Sequence, residues 1–357
     1  MNSQSELAIK HKKLETTLIA SIRFNLKERK EIQALFHKLN QNIPKEVISG
    51  PGFCIYHFIT SVKEGFDIEA GFPVSQDVQT SGIKTRMLPE MEVLSLVHKG
   101  SVGKIRETLR KLYSYAYEHG LISDEFSREV YLDSNNPEGN EIELQFVIHD
   151  WNRLFSKSLE QILGEETKQE VMKGNEDLTI DSSLDERHQW IKGALKRLDN
   201  LAEEEQKYKI ISSCAHVFAK EPIEKIRTLY EKTKKQTNDP LKAVDAVLDF
   251  MEKDPAWAKR PIRNGNIIYS TKIPRDPQGY EKATDKAEKR KAYCFCPIIR
   301  NRLDDEEMPI TFCYCGAGWF RQQWEGTLGK SVKIEIVKSV LKGNDECQFA
   351  IHLPNDL

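Results

Sequence analysis

Ile9-Lys10-His11-Lys12-Lys13-Leu14 and Leu18-Ile19-Ala20-Ser21-Ile22 begin a pattern that the chain repeats 74 residues later. The second copy reads Ile83-Lys84-Thr85-Arg86-Met87-Leu88 and Val93-Leu94-Ser95-Leu96-Val97, and the same offset carries residues 67–74 onto 141–148. Two copies that match at both ends predict a pseudo-twofold domain over residues 1–150, with a groove between the halves that suits a ligand. A glutamate occupies the same place in each copy, as Glu69 and Glu143.

Each copy has the pattern of a strand, a helix and two further strands. In the second copy, β-branched and apolar residues predict strands over 92–98, 128–132 and 141–148, and helical spacing predicts a helix over 104–118. The first copy matches, with a helix near 27–39 and a strand over 53–57. The fold class predicted for residues 1–150 is therefore α+β, with an antiparallel sheet.

The remainder of the chain has a different character. Residues 151–259 are rich in amphipathic helical periods, whereas residues 260–357 return to loops and strands and hold five of the seven cysteines. We expect the helical region and the cysteine-rich α+β region to pack together as a second domain.

Composition narrows the class of protein. The 357 residues are 39% hydrophobic and 30% charged, with a formal net charge of −2, which is typical of a globular protein and gives no reason to expect direct nucleic-acid binding. No apolar run approaches the roughly 18 residues of a membrane span, and the N-terminus lacks a signal region. An odd number of cysteines indicates reduced thiols. We expect a cytoplasmic protein that does not bind membranes.

Several blocks in order resemble the gyrase-inhibitor-like small-molecule-binding family, which includes effector-binding domains of bacterial transcription activators. The resemblance covers about residues 7–149, and its blocks are residues 50–57, 67–74, 97–100 and 129–132 leading to 143–145. It implies that Glu143 lies in a pocket between the repeats, with Tyr56 and Tyr131 as walls. Phe53, Phe72 and Tyr113 are weaker candidates for the same pocket. Val147 departs from the family, which often has a proline after this glutamate.

The amino-acid sequence alone is compatible with two roles for Glu143. Alternation puts residues 141, 143 and 145 on one strand face, which could simply face solvent. A carboxylate among aromatic rings instead attracts a lipophilic cation. We therefore favour a cytoplasmic binding protein, a sensor or sequestering protein for a small hydrophobic or cationic ligand, with multidrug binding as one form.

Two alternatives to simple binding remain. One is a small-molecule hydrolase in which Glu143 acts as general base, although no serine elbow, triad order or metal motif accompanies it. The other is a ligand-responsive regulatory protein that acts through a protein partner or as a homodimer, with a metal or thiol site in its C-terminal domain.

The cysteine pairs Cys294/Cys296 and Cys313/Cys315 allow a zinc or iron site, although no cofactor is required. On straight strands the members of each pair would lie about 6.6 Å apart, too far to share one metal, unless turns at Pro297 and Gly316 bend them. Reduced core cysteines are the favoured interpretation. A reactive thiol cluster is the third, because Cys315 precedes a helix predicted to start near Trp319.

The C-terminal residues 343–351 weakly resemble the closing strand hairpin of 4-vinyl-reductase-type sensor domains. The shared pattern is a glycine, an acid and a cysteine followed by a phenylalanine two positions on, here ending at Cys347 and Phe349. Asn344 occupies a position where an acid is usual. We assign no site from this resemblance.

Overall fold

The computed structural model describes residues 9–57, 65–119, 121, 123–132, 141–149, 151–179, 182–216, 218, 220–253 and 260–357. The chain divides into two compact units, Met1–His149 and Asp150–Leu357. Each unit is presented by itself below.

The first unit is an α+β domain with one antiparallel sheet, as the sequence predicts. Its described strands and helices, in chain order, are β1 (Lys10–Leu14), β2 (Thr17–Leu26), α1 (Ile32–Asn42), β3 (Phe53–Tyr56), β4 (Phe66–Pro73), β5 (Lys84–Leu88), β6 (Met91–Lys99), α2 (Ile105–Glu118), β7 (Ser123–Tyr131) and β8 (Glu141–Ile148). The strand order is β1-β6-β8-β7-β3-β4-β2-β5. The two repeats therefore meet at the central pair of β7 and β3.

Each repeat begins with a strand that the sequence pattern did not indicate. β1 pairs with β6 of the second repeat, with Lys12 opposite Val93, and β5 pairs with β2 of the first repeat, with Arg86 opposite Ile19. Both strands are rich in basic residues and lie at sheet edges, so they lack the apolar alternation that marks a half-buried strand. The repeats thus exchange their first strands.

The sheet has a face covered by helices. The ring of Phe36 on α1 lies 5.5 Å from that of Phe72 and 5.3 Å from that of Tyr131, both edge-on. On α2, the ring of Tyr113 lies 5.3 Å from that of Phe146. We call this side of the sheet the helix-covered face.

The opposite side, here called the inner face, is also buried, because the sheet curls. Its apolar cluster joins Ile19 and Leu88 of one sheet end to Phe53, Ile55 and Val130 near the centre, each at most 8% exposed. A face enclosed by its own sheet can bury polar groups as well as apolar ones.

The second unit combines helices with a small sheet. Its described elements are α3 (Trp151–Leu163), α4 (Glu165–Met172), α5 (Leu184–Leu201), α6 (Glu204–Ser212), α7 (Lys220–Thr237), α8 (Pro240–Lys253), β9 (Ile262–Asn264), β10 (Ile267–Thr271), α9 (Pro277–Lys282), α10 (Lys286–Tyr293), α11 (Pro297–Arg300), α12 (Tyr314–Leu328), β11 (Lys333–Lys338) and β12 (Gln348–His352). The strand order is β11-β12-β10-β9. Buried side chains from the helical and the cysteine-rich regions mix in two apolar cores, one of them around the fully buried Trp324.

None of the helices within the described ranges is both long and apolar enough to cross a lipid bilayer.

Candidate functional site

Two buried carboxylates mark equivalent places on the inner face. Glu69 on β4 is 4% exposed and Glu143 on β8 is 7% exposed. Cross-strand partners share a face, and Glu143 lies opposite Val130 and Val97, both of which belong to the inner face. The glutamates therefore do not face solvent, in contrast to the alternative that strand alternation left open.

Each carboxylate is paired with a cation from the other repeat. Lys12 Nζ on β1 donates to Glu143 Oε1 at 2.5 Å. Arg86 on β5 donates to Glu69 through Nε at 2.9 Å and Nη2 at 2.6 Å. Lys12 and Arg86 are themselves equivalent under the 74-residue offset, so the sequence repeat contained this pair of bases, although their role could not be read from it.

The environments of the two glutamates differ. Glu69 also accepts hydrogen bonds from Ser21 Oγ at 2.6 Å and from His57 Nε2 at 3.0 Å. Burial opposes the charge of Glu69, yet the hydrogen bonds from His57, Arg86 and Ser21 outweigh it and hold the pKa of this carboxyl well below its usual range. Glu69 is thus fixed as a structural anion.

Glu143 is held much less firmly. Lys12 is its one hydrogen-bond donor among the described residues, and the Lys12 side chain is 39% exposed on an edge strand. A long, partly solvated lysine can leave its partner at modest cost. The contact that holds Glu143 is therefore easier to break than the contacts that hold Glu69.

Two further polar groups lie beside Glu143 on the inner face, and the sequence did not single them out. Arg128 on β7 is paired in register with Gln145 on β8. The Arg128 Nε atom and the Gln145 Oε1 atom are both buried without a hydrogen-bond partner in the described part of the chain. The Arg128 guanidinium carbon lies 5.1 Å from the centre of the Phe53 ring.

Tyr56 and Tyr131 lie on the helix-covered face, away from Glu143. Tyr131 is opposite Ile142 in the sheet, one residue out of phase with Glu143, so strand alternation turns its ring to the other side. Its hydroxyl donates to Glu129 Oε2 at 3.1 Å, and the Tyr56 hydroxyl is bonded to Arg29. The structure therefore does not make these tyrosines walls of a pocket around Glu143.

The tyrosines instead lie beside a partly buried ion pair that the sequence did not reveal. Arg29 donates from Nη1 and Nη2 to the two oxygens of Glu129, at 2.7 and 2.6 Å, and Glu129 is 5% exposed. Burial, followed by the charge of Glu129, raises the pKa of both tyrosines well above the usual range. This cluster stabilises the packing of the helix-covered face.

The remaining aromatic candidates divide between the two faces. Phe53 lies on the inner face, opposite Val130. Phe72 packs under α1, and Tyr113 on α2 is 48% exposed beside Phe146. Of the six predicted ligand-binding residues, Glu143 and Phe53 are brought together on the inner face.

The cysteines of the two Cys-x-Cys pairs lie at helix ends rather than on strands. Cys294 follows α10 and Cys296 precedes α11, while Cys313 ends a short 3-10 turn and Cys315 lies in the first turn of α12, which begins at Tyr314 instead of near Trp319. The strand geometry used in the sequence argument therefore does not apply. Burial raises the pKa of Cys294 and Cys315 to about 11 and that of Cys313 to about 12.

The thiols pack with apolar side chains of the second unit. Within the described ranges, His, Cys, Asp and Glu side chains form no group of three or more that could hold a metal ion. Zinc or iron at Cys294, Cys296, Cys313 and Cys315 stays a prediction. Neutral thiols of high pKa are poor nucleophiles and poor metal ligands until they lose a proton.

A cleft of about 570 Å³ opens near this region of the second unit. Lys272 lies at one side of it, with its ammonium 5.3 Å from the centre of the Phe295 ring, and Lys338 pairs with Glu346 at 2.9 Å. The lining residues are Lys272, Ile273, Pro274, Tyr280, Lys286, Tyr293, Lys338, Gly343, Asn344, Asp345 and Glu346.

Comparison with solved structures finds several chains that are similar to about two fifths of this one. The EcmrR C-terminal domain is 18% identical, with a TM-score of 0.36 over 40% of this chain and 96% of that one, and in the EcmrR–DNA complex the match spans 59% of the EcmrR chain. SAV2435 bound to tetraphenylphosphonium is 10% identical, with a TM-score of 0.31 over 41% of this chain and 96% of that one. A hydrolase from Listeria innocua is 12% identical, with a TM-score of 0.31 over 41% of this chain and 94% of that one.

Comparison with curated proteins gives no match. A family model does match, and its bounds, residues 8–148, coincide with the duplicated unit that carries the paired glutamates. Residues 8–148 match the model of the GyrI-like small molecule binding domain family.

Proposed function

We propose that the first unit binds a hydrophobic small molecule on its inner face, with Glu143 as the polar anchor, and that the protein acts as a sensor or sequestering protein for this ligand. The observation that carries the proposal is the difference between the equivalent glutamates. Within the described ranges, three side chains hydrogen-bond to Glu69, whereas one exposed lysine holds Glu143.

The groups around Glu143 suit an amphipathic ligand. Phe53, Ile55 and Val130 supply apolar surface near the sheet centre. A ligand cation that displaces Lys12 restores the neutral pair with Glu143, so the exchange leaves no buried carboxylate uncompensated. Burial of the aromatic body of the ligand adds the hydrophobic contribution, about 25 cal/mol per Å² of apolar surface removed from water.

Titration with a fluorescent cationic dye, a rhodamine methyl ester, tests this proposal. We expect the full-length protein to bind the dye and Glu143→Gln to bind it at least about tenfold more weakly, because the variant loses an ion pair shielded from water. Glu141→Gln is the matched control. Glu141 lies on the same strand but pairs with Lys99 at an exposed sheet end, so its loss should leave the affinity unchanged.

Equal affinity of the parent and Glu143→Gln would contradict the anchoring role. The hydrolase alternative makes a separate prediction with the same variants. If Glu143 were a general base, activated esters would be turned over by the parent and by Glu141→Gln but not by Glu143→Gln.

A further inference from the structure

The inner face has a cation without a carboxylate of its own. Lys12 pairs with Glu143 and Arg86 pairs with Glu69, both within hydrogen-bond distance. Arg128 lies on the same face and makes no ion pair with any residue that the structure describes, although the charges of both glutamates act on it. The centre of the inner face therefore has an excess of positive charge.

Two buried polar atoms, one on this cation and one beside it, lack a hydrogen-bond partner among the residues that the structure describes. Arg128 Nε is a donor and Gln145 Oε1 is an acceptor, and both are shielded from solvent without a hydrogen bond to the described residues. Gln145 is 5% exposed and is the cross-strand neighbour of Arg128. Buried polar groups without partners are rare in folded proteins, and a pair of them on adjacent strands indicates that something else completes the site.

The guanidinium remains a cation at neutral pH. Burial, and to a smaller degree the nearby charge of Arg86, lowers the pKa of Arg128 to about 10, while Glu143 and Glu69 act in the opposite direction. Its guanidinium carbon lies over the Phe53 ring, 5.1 Å from the ring centre, and this cation–π contact helps to hold the guanidinium in place. A guanidinium held in this way presents Nε–H and an Nη–H as a fork that matches the two oxygens of a carboxylate.

We propose that the ligand of the inner face carries a carboxylate or a similar anionic oxygen group, which Arg128 binds through Nε–H and an Nη–H. Gln145 Oε1 accepts a hydrogen bond from an N–H or O–H of the same ligand. This inference rests on the proposed binding function and specifies its ligand as a bipolar aromatic molecule, with its cationic end on Glu143 and its anionic end on Arg128.

A matched pair of dyes separates this inference from the binding function itself. A rhodamine methyl ester is a cation, and the same rhodamine as its free acid keeps the cationic ring system but adds a carboxylate. We expect the full-length protein to bind the free acid at least about tenfold more tightly than the ester, because the carboxylate gains charge-assisted hydrogen bonds.

Variants at Arg128 then assign the preference to this side chain. Arg128→Gln should abolish the preference for the free acid while the ester still binds, and the retained ester binding shows that the domain is folded. Arg128→Lys should keep part of the preference, because it retains the charge but not the fork. Arg106→Gln, a change on the outer helix α2, should keep the parent's preference for the free acid over the ester.

The outcomes are distinct. If both dyes bind equally, or if Arg128→Gln keeps the preference for the free acid, Arg128 is a structural cation over Phe53 and the inference is wrong. In either case, binding of the ester that depends on Glu143 still supports the proposed function. If neither dye binds, the proposed function fails, and the inference fails with it.

Discussion

At the scale of single residues, the first unit contains two kinds of buried acid. Glu129 is bonded to Arg29 by two short hydrogen bonds and accepts from Tyr131, so every part of the carboxylate is engaged under the helices. Glu143 is equally buried but relies on Lys12. Because both oxygens of the Glu129 carboxylate are hydrogen-bonded, Glu129 has a structural role. The single contact of Glu143 with a partly exposed lysine can be exchanged, which supports the proposed binding role of Glu143.

This contrast predicts the effect of Glu129→Gln on stability. Removing the charge of Glu129 leaves the partly buried Arg29 without its ion-pair partner, and we expect this loss to lower the free energy of unfolding by about 2 kcal/mol or more. Glu90→Gln is the control, because Glu90 pairs with Lys13 at 3.2 Å in solvent and its loss should cost less than about 1 kcal/mol. Urea unfolding followed by circular dichroism measures both, and equal small effects would contradict the structural role of Glu129.

At the scale of elements, the helices and central strands could be predicted, whereas the edge strands and the face of each side chain could not. The second helix was placed to within a residue, because its apolar residues follow the helical period. β1 and β5 could not be predicted, because their many basic residues break the alternation of apolar and polar residues that marks a half-buried strand. The place of Tyr131 beside Glu143 is implied by the family resemblance alone, and the register of β7 with β8 puts its ring on the helix-covered face, because a shift of one residue in strand phase reverses the face.

The packing of α12 on α6 gives a second prediction. An added Cβ at Gly318 would lie 1.9 Å from the backbone oxygen of Ser212, a clash that only a movement of one helix can relieve. We expect Gly318→Ala to lower the free energy of unfolding by about 1–3 kcal/mol, the usual cost of overpacking a core.

Gly193→Ala in α5 is the matched control. The atom nearest to an added Cβ at Gly193 is the end of the flexible Arg197 side chain, at 3.3 Å, and alanine favours a helix over glycine by up to about 1 kcal/mol. Chemical denaturation should show opposite signs for the two substitutions. A neutral or stabilising Gly318→Ala would mean that α6 and α12 are not packed as described.

At the scale of the whole molecule, the sequence repeat located the unit that matches the family model, and the cysteine motifs were the least informative part. A Cys-x-Cys spacing is compatible with a strand, a turn or a helix end, and only the fold shows that these pairs lie at helix ends with high-pKa thiols. The bases Lys12 and Arg86 illustrate the same limit, because their partners lie in the other repeat and depend on the exchanged strands.

The thiols predict a pH dependence of stability. Burial raises the pKa of Cys294 and Cys315 to about 11, above the ordinary value of 9.0. A pKa that is higher in the folded state contributes stability below pH 9, and this contribution is lost as the pH rises towards 11. The free energy of unfolding of the parent should therefore fall between pH 9 and 11 more steeply than that of the Cys294→Ala/Cys315→Ala variant. Parallel curves for the two proteins would show that these thiols ionise as freely in the folded state as in the unfolded chain.

The central claim is that the inner face, through Glu143, is the ligand site of the unit that matches the GyrI-like family model. A crystal structure of the full-length protein with the cationic rhodamine ester tests it most directly. We predict the dye on the inner face, with its charged nitrogen within about 4 Å of the Glu143 carboxylate, the limit for an ion pair, and with Lys12 displaced from it. Dye bound on the helix-covered face or in the cleft of the second unit, with the pair of Lys12 and Glu143 intact, would contradict the claim.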